Sequence, residues 1–459
     1  MSVHGQSAMG LSRRQVLKLG LGSIIGSGLS SALFIGGCRR QAPPNAPNIV
    51  FILIDALRAD HLPCYGYNVD TAPHLTALAA QSVVFRRVIA PSSWTKTSMA
   101  SIMTGRIPSR HGAIGVQDIL PAGITTVAKA LAENGYRTIG VNTNPWLKPN
   151  FGFDAGFDIY SSITIPNNFV SASDVNNEAN RLLAKNIGKR PIFMYLHYMD
   201  VHAPYWPAPQ YFSKPALVVP GMGAVADKQL EKLYRKEGLD SPAIRQRVIE
   251  LYDAEIRGVD SAIGQLIIEM KKNAALVNSA FMITSDHGEA FREHGTTEHG
   301  KNLYPEVYEV PLILNWPGRL PPAHINAQVC SIDIAPTLLQ LAGAKASDSF
   351  EGQSLLPIES VTKERISISE VARNSYIPDL DYVAVISSRH LYVREKTTNK
   401  IEFYDLLSDP GATHNLGPAH PDIAEYAKIE QSQQGQTATK QIELDEQTRE
   451  QLKSLGYLK

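Results

Sequence analysis

Cysteine and net charge are the two features that this sequence has little of. Its 459 residues include three cysteines, and 44 basic side chains balance 44 acidic ones, so the formal net charge is zero. Cys38, Cys64 and Cys330 are too few to build a disulfide scaffold. A chain without excess positive charge gives no support to nucleic-acid binding, which depends on neutralising phosphates. We therefore expect neither a disulfide-rich domain nor a nucleic-acid partner.

Apolar residues and histidines, by contrast, are abundant. Hydrophobic residues make up 44% of the chain and charged residues 19%, which is the composition of globular rather than disordered proteins. The length fits two or three domains, or one large α/β core with a small additional subdomain. Five of the 13 histidines fall between His197 and His299, so that part of the chain is where we look for chemistry.

Residues 1–38 have the features of an export signal rather than of a folded domain. Arg13 and Arg14 form a twin-arginine motif, and an uncharged run diluted by glycine and serine follows it. The run ends at Cys38 in a context that resembles a lipoprotein processing site, which makes Cys38 the candidate lipidated residue. An uncleaved anchor and a plain cleavable signal are the alternatives. Residues 39–47 would form a tether. We expect the protein in the periplasm or cell envelope, with membrane contact only through this signal or a lipid anchor.

Between residues 48 and 360, strand patterns alternate with helical patterns. Apolar runs typical of buried strands lie at 48–54, 138–141, 192–196, 280–284 and 311–314. Helical periodicity lies at 72–80, 126–134, 178–186, 244–271 and 334–341. This alternation predicts an α/β domain with a doubly wound, mostly parallel sheet and helices on both faces.

The pattern changes near residue 360. Short alternating segments typical of an antiparallel sheet lie at 365–371, 382–387, 391–395 and 401–404, and a helical segment follows at 444–455. We predict a small C-terminal α+β subdomain with an antiparallel sheet over residues 361–459.

Acidic residues and histidines follow three of the predicted strands. Asp55 follows the first of them, Asp200 and His202 follow the second, and Asp286 and His287 follow the third. The carboxyl ends of parallel strands form one edge of the sheet, where ligands bind, so we expect these side chains to lie close together. A lone aspartate in such a position commonly caps a helix, but a mixed set of carboxylates and imidazoles is typical of a metal site.

Hydroxyl residues between the first two of these strands open a short helical pattern over residues 92–104. Thr95, Thr97 and Ser98 are among them. Hydroxyls at the start of a helix are usually caps, but the same position holds anions through backbone N–H groups and the helix dipole. A hydroxyl there that faces a divalent cation is a candidate nucleophile toward an anionic ester.

A series of further motifs lies, in order along the chain, at 47–67, 104–106, 195–205, 252–256, 284–289, 303–317, 333–343, 404–411 and 455–457. Together they resemble the sulfatase family, which belongs to the alkaline-phosphatase superfamily. The resemblance implies an alkaline-phosphatase-like fold and metal-dependent hydrolysis of ester bonds. It implies that Asp55, Asp286 and His287 are metal ligands and that Thr95 occupies the catalytic position beside the metal.

The resemblance also implies roles for residues that would meet the substrate. His202 matches a histidine that contacts the transferred sulfate or phosphate, and His299 matches a histidine of phosphotransferase relatives that binds phosphate or a second metal. Lys96, next to Thr95, is a further candidate for neutralising the substrate oxygens, although such a lysine is often only solvated. A second ion held by Asp200, His202 and His299 is an alternative use of these side chains.

The departures from the sulfatase pattern concern the catalytic residue and the metal. Sulfatases carry Cys or Ser in a Cys-x-Pro-x-Arg pattern and oxidise it to formylglycine, whereas residues 95–99 here are Thr-Lys-Thr-Ser-Met. Oxidation of Thr95 gives a ketone rather than an aldehyde, and threonine resembles the phosphodiesterase and phosphotransferase branches. Ala56 replaces a common second aspartate, and His287 replaces an asparagine. The imidazole moves the metal preference from Ca²⁺ toward Zn²⁺ or Mn²⁺.

These residues predict a metal-dependent hydrolase of phosphate or sulfate esters with Thr95 as nucleophile. One divalent ion, held by Asp55, Asp286 and His287, would also bind the Thr95 oxygen and lower its pKa. The missing formylglycine precursor favours phosphate esters. A true sulfatase and a catalytically inactive, envelope-tethered binding protein are the alternatives. The expected substrate is a small-molecule, glycan or lipid ester.

Overall fold

The structure is a computed structural model that describes residues 40–164, 170–219, 222–235, 241–345, 347–372, 380–433, 435, 437 and 439–454. The predicted export signal with Cys38 lies outside the described residues and stays a prediction, and so does the motif at 455–457. Arg39–Lys459 form one compact unit. No helix within the described ranges is long and apolar enough to cross a membrane.

The strands are β1 (Asn48–Ile54), β2 (Val83–Ile89), β3 (Arg137–Asn142), β4 (Ile159–Ser162), β5 (Ile192–Tyr198), β6 (Leu217–Val219), β7 (Gly223–Val225), β8 (Ser279–Thr284), β9 (Ala290–Phe291), β10 (Thr297–Glu298), β11 (Glu309–Asn315), β12 (Ala323–Ile325), β13 (Val329–Cys330), β14 (Ser367–Val371), β15 (Tyr382–Ile386), β16 (His390–Glu395) and β17 (Ile401–Asp405). The α-helices are α1 (Pro73–Ala79), α2 (Thr95–Thr104), α3 (Pro108–His111), α4 (Val127–Glu133), α5 (Ala172–Asn186), α6 (Asp227–Tyr234), α7 (Pro242–Lys272), α8 (Pro305–Tyr308), α9 (Ile334–Leu341), α10 (Ile423–Gln433) and α11 (Glu446–Ser454).

Nine strands form the central sheet, in the order β12-β2-β11-β8-β1-β5-β3-β4, with β13 also paired to β2. All pairings are parallel except those of β11, which runs antiparallel to β2 and to β8. The chain returns from β8 to β11 through residues 285–308, which contain the short strands β9 and β10 and the four-residue helix α8, but not the long crossover helix typical of a parallel pair. The predicted mostly parallel sheet is confirmed.

Alternate residues of β1 face two different apolar cores. Phe51 and Leu53 pack in one cluster with residues of α2, α4 and α9. Val50 and Ile52 pack in a second cluster with residues of α1, α5 and α7. A strand that is apolar on both sides has to be covered on both sides, and the predicted helices on both faces of the sheet are confirmed.

One helix is longer than its periodicity indicates. α5 begins at Ala172 rather than near 178, because Ser171 caps it: the Ser171 hydroxyl accepts from the Asp174 backbone and the Asp174 carboxylate accepts from the Ser171 backbone. The added turn matters for the site, because Ala172 meets a residue that follows β5.

The C-terminal residues form a separate antiparallel sheet, in the order β14-β15-β16-β17. Phe403 packs with Tyr426 of α10 on one side of it, and Tyr404 joins the core of the central sheet on the other. The predicted antiparallel sheet is confirmed, and the domain boundary near residue 360 stays a prediction.

Candidate active site

Three side chains from two strand ends meet at one buried point. Asp55 directly follows β1, Asp286 and His287 follow β8, and these strands are parallel neighbours. One ligand atom of each lies within 4.8 Å of those of the other two. His287 Nε2 is 3.3 Å from Asp286 Oδ2 and 3.7 Å from Asp55 Oδ1. The parallel strand ends thus bring together the three residues that the sequence predicts as metal ligands.

The two oxygens of Asp55 have different surroundings. Oδ2 accepts a 2.9 Å hydrogen bond from Asn144 Nδ2 and lies 3.2 Å from His197 Nε2. Oδ1 has no hydrogen-bond partner among the described residues. Asn144 follows β3 and His197 lies near the end of β5, so residues from these two strands restrain Oδ2. Oδ1 lies on the side of His287.

Asp286 is held in a similar way. Its Oδ1 accepts from the backbone N–H of Ala56 at 3.3 Å, while its Oδ2 lacks a hydrogen-bond partner in the described part of the chain. Ala56 has a φ of 59°, a left-handed conformation that non-glycine residues seldom adopt. The strained backbone after Asp55 therefore positions Asp286, and both carboxylates keep one oxygen with unmet acceptor capacity near His287.

Thr95 brings a hydroxyl to the same point. It is the first residue of α2, and its Oγ1 lies 3.0 Å from His287 Nε2. His287 Nδ1 is 2.9 Å from the carbonyl oxygen of Gly288, which can only accept, so we assign the ring proton to Nδ1. In the neutral ring, Nε2 then presents its lone pair to Thr95. Ser98 joins α2 to this loop by donating to the carbonyl oxygen of Asp286 at 2.7 Å.

Burial and mutual charge set the protonation of these groups. Burial raises the pKa of Asp286 to about 6, and the charge of Asp55 adds to that effect. Burial acts the same way on Asp55, but its histidine neighbours, His197 first, hold the pKa of Asp55 below its ordinary value. Burial lowers the pKa of His287, yet Asp286 and Asp55 outweigh it and the pKa is raised. The site therefore favours a positive charge between its carboxylates.

Replacing His197 by alanine is expected to weaken metal binding at Asp55 about 10- to 100-fold, which is the usual effect of removing a residue that orients a ligand. The measurement is the Zn²⁺ affinity in competition with a coloured chelator. His61→Ala is a matched control, because it removes another buried His–Asp contact, at 2.8 Å from Asp253, and is expected to leave the affinity unchanged. An unchanged affinity in the His197 variant would show that His197 does not position Asp55.

His202 and His299 lie next to the predicted metal-ligand histidine. The rings of His299 and His287 stack with centroids 4.2 Å apart, and His202 meets His299 edge-on at 4.8 Å. Glu289 is buried, with Oε1 3.2 Å from His299 Nδ1 and Oε2 accepting from Tyr205 Oη at 3.0 Å. Burial lowers the pKa of His202 to about 4. The structure brings both predicted histidines to the site, and their contact with substrate stays a prediction.

Lys96 is buried, and its amine contacts protein groups. Nζ donates to the carbonyl oxygens of Gly115 and Val116 at 3.2 and 2.9 Å and lies 4.0 Å from the centroid of the Phe151 ring. Burial lowers the pKa of Lys96 to about 7. The role of Lys96 in neutralising substrate oxygens stays a prediction.

The lowered pKa of Lys96 makes the free energy of unfolding depend on pH. Lys96→Met is expected to remove this contribution to the pH dependence. The folded chain releases the Lys96 proton near pH 7, whereas the unfolded chain holds it up to the ordinary pKa of 10.5. The unfolded state binds more protons between these values, so this group makes stability rise with pH by about 1.4 kcal/mol per pH unit at most. Urea unfolding of both proteins at about pH 6 and about pH 9 measures it. Parallel changes in the two proteins would contradict the lowered pKa.

Asp200 uses one of its two carboxylate oxygens at the start of a helix. Its Oδ1 accepts from the backbone N–H of Ala172, in the first turn of α5, at 2.8 Å. Within the described residues, Asp200, His202 and His299 do not form a group of close ligand atoms of the kind seen around Asp55. Oδ1 of Asp200 thus helps to cap α5, whereas its Oδ2 has no hydrogen-bond partner among the described residues. A second ion held by Asp200, His202 and His299 stays a prediction.

Two family models match this chain. A sulfatase family model matches residues 47–344, and a model of the C-terminal part of N-sulphoglucosamine sulphohydrolase matches residues 293–443. The chain belongs to the sulfatase family. It is an ester hydrolase of that family, and the matched region contains all the site residues described above.

Curated relatives of this sulfatase-family chain cover most of its length. The ulvan-active sulfatase of Formosa agariphila is 24% identical over 416 residues, which cover 82% of this chain and 78% of the relative. The N-acetylglucosamine-6-O-sulfatase of Bacteroides thetaiotaomicron is 23% identical over 493 residues, which cover 87% of each chain.

Solved structures share the sulfatase fold of this chain. One, in complex with its substrate D-glucosamine-2-N,6-O-disulfate, has a TM-score of 0.68 at 20% identity and covers 90% of this chain and 98% of its own. The phosphonate monoester hydrolase of Silicibacter pomeroyi has a TM-score of 0.65 at 21% identity, with 84% and 94% covered. The predicted fold class is confirmed.

Three residues at the site are not singled out by the sequence patterns: Asn144, His197 and Glu289. The first two do carry a signal, because Asn144 follows β3 and His197 lies near the end of β5, at the same carboxyl edge of the sheet as Asp55. Read alone, each is an ordinary structural residue. Their role depends on the pairing of β3, β5 and β1, which the sequence of any one strand does not contain.

Proposed function

We propose that this protein is a metal-dependent hydrolase of phosphate or sulfate esters that uses Thr95 as its nucleophile and prefers phosphate esters. The observation that carries the proposal is the 3.0 Å contact between Thr95 Oγ1 and His287 Nε2, in a group with Asp55 and Asp286. A hydroxyl beside two buried carboxylates and an imidazole has the surroundings of a metal-activated nucleophile.

Asp55, Asp286 and His287 would hold the metal. The unmet oxygens of both carboxylates fit a cation, and an imidazole among the ligands favours Zn²⁺ or Mn²⁺ over Ca²⁺. The set suits one ion. Such an ion supplies Lewis-acid chemistry, which lowers the pKa of a neighbouring hydroxyl and offsets the charge of the ester.

Thr95 would act in two displacement steps. Thr95 Oγ1 gives its proton to solvent water and attacks the phosphorus or sulfur atom in line, and the bond to the leaving alcohol oxygen breaks while the new bond forms. The leaving oxygen takes a proton from solvent. Water then attacks the covalent intermediate, releases the inorganic anion and restores the hydroxyl. His202 and His299 would offset charge on the equatorial oxygens, and Lys96 is a further candidate for this role.

Threonine is the reason to expect phosphate esters. The sulfatase route depends on an aldehyde made from Cys or Ser, and oxidation of Thr95 yields a ketone instead. Direct attack by a threonine hydroxyl needs no such modification. Neighbouring structures include phosphonate monoester hydrolases beside sulfatases, which supports a fold that serves esters of phosphorus as well as of sulfur.

The other hydroxyls at the start of α2 are engaged with the backbone. Thr97 Oγ1 donates to the carbonyl oxygen of Ile114 at 3.2 Å, and Ser98 Oγ donates to that of Asp286 at 2.7 Å. Thr95, by contrast, contacts a ring nitrogen of the ligand group, and this favours it as the nucleophile.

A true sulfatase is the second candidate, and the names of the relatives favour it. They include an ulvan-active sulfatase and an N-acetylglucosamine-6-O-sulfatase, so the substrate would then be a sulfated glycan. An inactive binding protein is disfavoured because the ligand group of Asp55, Asp286 and His287 is complete. Export by the twin-arginine route to the periplasm or envelope, with lipid attachment at Cys38, remains part of the proposal.

A panel of p-nitrophenyl esters tests the choice between these functions. With the metal-loaded protein, kcat/KM for the phosphate mono- or diester is expected to exceed that for the sulfate ester about tenfold or more, which is about 1.4 kcal/mol of transition-state stabilisation. Turnover of the sulfate ester alone would support the true sulfatase. Absence of both turnover and bound metal would support the binding protein.

A further inference from the structure

A second group of metal-ligand side chains lies in the C-terminal antiparallel sheet. His390 is the first residue of β16, and His420 and Asp422 precede α10. One ligand atom of each lies within 4.8 Å of those of the other two, and His390 Nδ1 is 3.7 Å from Asp422 Oδ2. Tetrahedral zinc, with bonds of about 2.0 to 2.1 Å, places its ligand atoms about 3.4 Å apart. Small side-chain rotations therefore bring this group to a binding geometry.

Aromatic packing orients the two imidazoles. The ring of Phe403 stacks on His420 at 4.7 Å and lies tilted against His390 at 4.8 Å. His390 is buried, whereas 44% of the Asp422 side chain is exposed. The group is thus supported by the sheet on one side and open to an ion from solvent on the other. Rings that packing already holds in place lose little freedom when they bind a metal.

Two carboxylates and one arginine lie near His390. Asp405 ends β17, Asp422 precedes α10 and Arg389 precedes β16. The acidic side chains outnumber the basic one, so the local charge favours a cation.

We propose that His390, His420 and Asp422 form a binding site for a divalent transition metal of the zinc type. Two imidazoles and one carboxylate are typical ligands of zinc sites with three protein ligands, in which water takes the fourth position. The site shares no residue with the group around Asp55, so the proposal does not depend on the proposed function.

A metal at this site would link the N-terminal end of α10 to the C-terminal antiparallel sheet. The segment that leads into α10 supplies two ligands and β16 supplies the third. In the structure, Tyr426 of α10 reaches the same edge, with its Oη 3.5 Å from His390 Nδ1 and 2.6 Å from Ser387 Oγ. A metal that binds the folded state and not the unfolded chain stabilises the fold, and zinc is expected to raise the melting temperature.

The test uses the full-length chain with Asp55→Ala and Asp286→Ala, which removes the carboxylates of the active site. After treatment with chelator, this protein is expected to bind about one equivalent of Zn²⁺ by calorimetry. Adding His420→Ala or Asp422→Asn is expected to abolish that binding and the rise in melting temperature. Without the active-site substitutions, the same changes lower the zinc content from about two equivalents to about one.

His414→Ala is the matched control, because His414 is an exposed histidine of the same region outside the group. It is expected to keep the zinc, and circular dichroism verifies that each variant is folded. The proposal is overturned if the protein without Asp55 and Asp286 binds no zinc, or if binding survives both His420→Ala and Asp422→Asn.

Discussion

Replacing Thr95 by alanine is expected to abolish turnover while the metal ligands stay in place. Thr95 Oγ1 lies 3.0 Å from His287 Nε2, and without it no side-chain oxygen of α2 contacts the ligand group in the same way. Loss of a nucleophile lowers kcat by a factor on the order of 10⁴ to 10⁶ in well-studied enzymes. The measurement is kcat with a phosphate ester, together with the metal content of the purified variant.

Two matched variants separate the nucleophile from its neighbours. Thr95→Ser keeps a hydroxyl on the first residue of α2 and is expected to retain most of the turnover. Thr97→Ala removes a hydroxyl that donates to the Ile114 carbonyl oxygen and is expected to change kcat less than about tenfold. Mass spectrometry of quenched enzyme should locate a phosphoryl group on Thr95. If turnover survives Thr95→Ala and disappears in Ser98→Ala, Ser98 is the nucleophile instead.

The fold was predictable where apolar runs are continuous. β1 has apolar residues on both faces, and its bounds agree with the run at 48–54. β2 (Val83–Ile89) pairs with β11 in the same sheet, but Arg86 and Arg87 interrupt its apolar run. Their guanidinium groups donate to the carbonyl oxygens of Cys64 and Ser388 at 2.6 and 2.7 Å. These hydrogen bonds satisfy the two arginines within the strand. The acceptors come from other parts of the chain, so the local pattern around residues 83–89 does not reveal them.

The group of Asp55, Asp286 and His287 was predictable without knowledge of the strand order. Polar residues after parallel strands converge on one edge, and Asp55, Asp286 and His287 do so. The restraints on their orientation were not predictable in the same way. Asn144 reaches Asp55 Oδ2 from β3, and the N–H of Ala56 reaches Asp286 only because its φ is 59°. Both depend on tertiary geometry rather than on the residue type.

The surroundings of Lys96 were not predictable either. Its place beside Thr95 makes it a candidate for neutralising substrate oxygens, and a lysine at the start of a helix is ordinarily solvated. In the structure it is buried against Phe151 and donates to backbone carbonyl oxygens of residues 115 and 116. The loop that supplies these oxygens follows α3. The motif at 95–99 does not indicate that this loop packs against Lys96.

Removing the metal is expected to abolish turnover almost as fully as removing Thr95. Asp55 Oδ1 and Asp286 Oδ2 are buried acceptors that lack hydrogen-bond partners within the described residues, and the activity of a metal-assisted hydroxyl falls by a factor on the order of 10³ or more without the ion. Dialysis against a chelator followed by assays with added ions measures it. Zn²⁺ or Mn²⁺ is expected to restore turnover and Ca²⁺ is not. Full activity after chelation would contradict the metal dependence.

Asp286→Asn distinguishes a metal ligand from a carboxylate that merely supports the fold. Burial and Asp55 raise the pKa of Asp286 from 3.8 to about 6, so the metal-free folded protein holds a proton that the unfolded chain releases between these values. The stability of the metal-free protein therefore falls as the pH rises through about 6. Asparagine has no such proton to release.

The metal-free Asp286→Asn variant is accordingly expected to be more stable than the metal-free wild type near pH 7, although its metal affinity and turnover fall. With the ion present the order reverses, because only the wild type binds it tightly and is stabilised by it. Thermal unfolding of both proteins with and without Zn²⁺ measures the reversal. A variant that is less stable than the wild type in both states, and that keeps its turnover, would mean that Asp286 supports the fold and does not bind the metal.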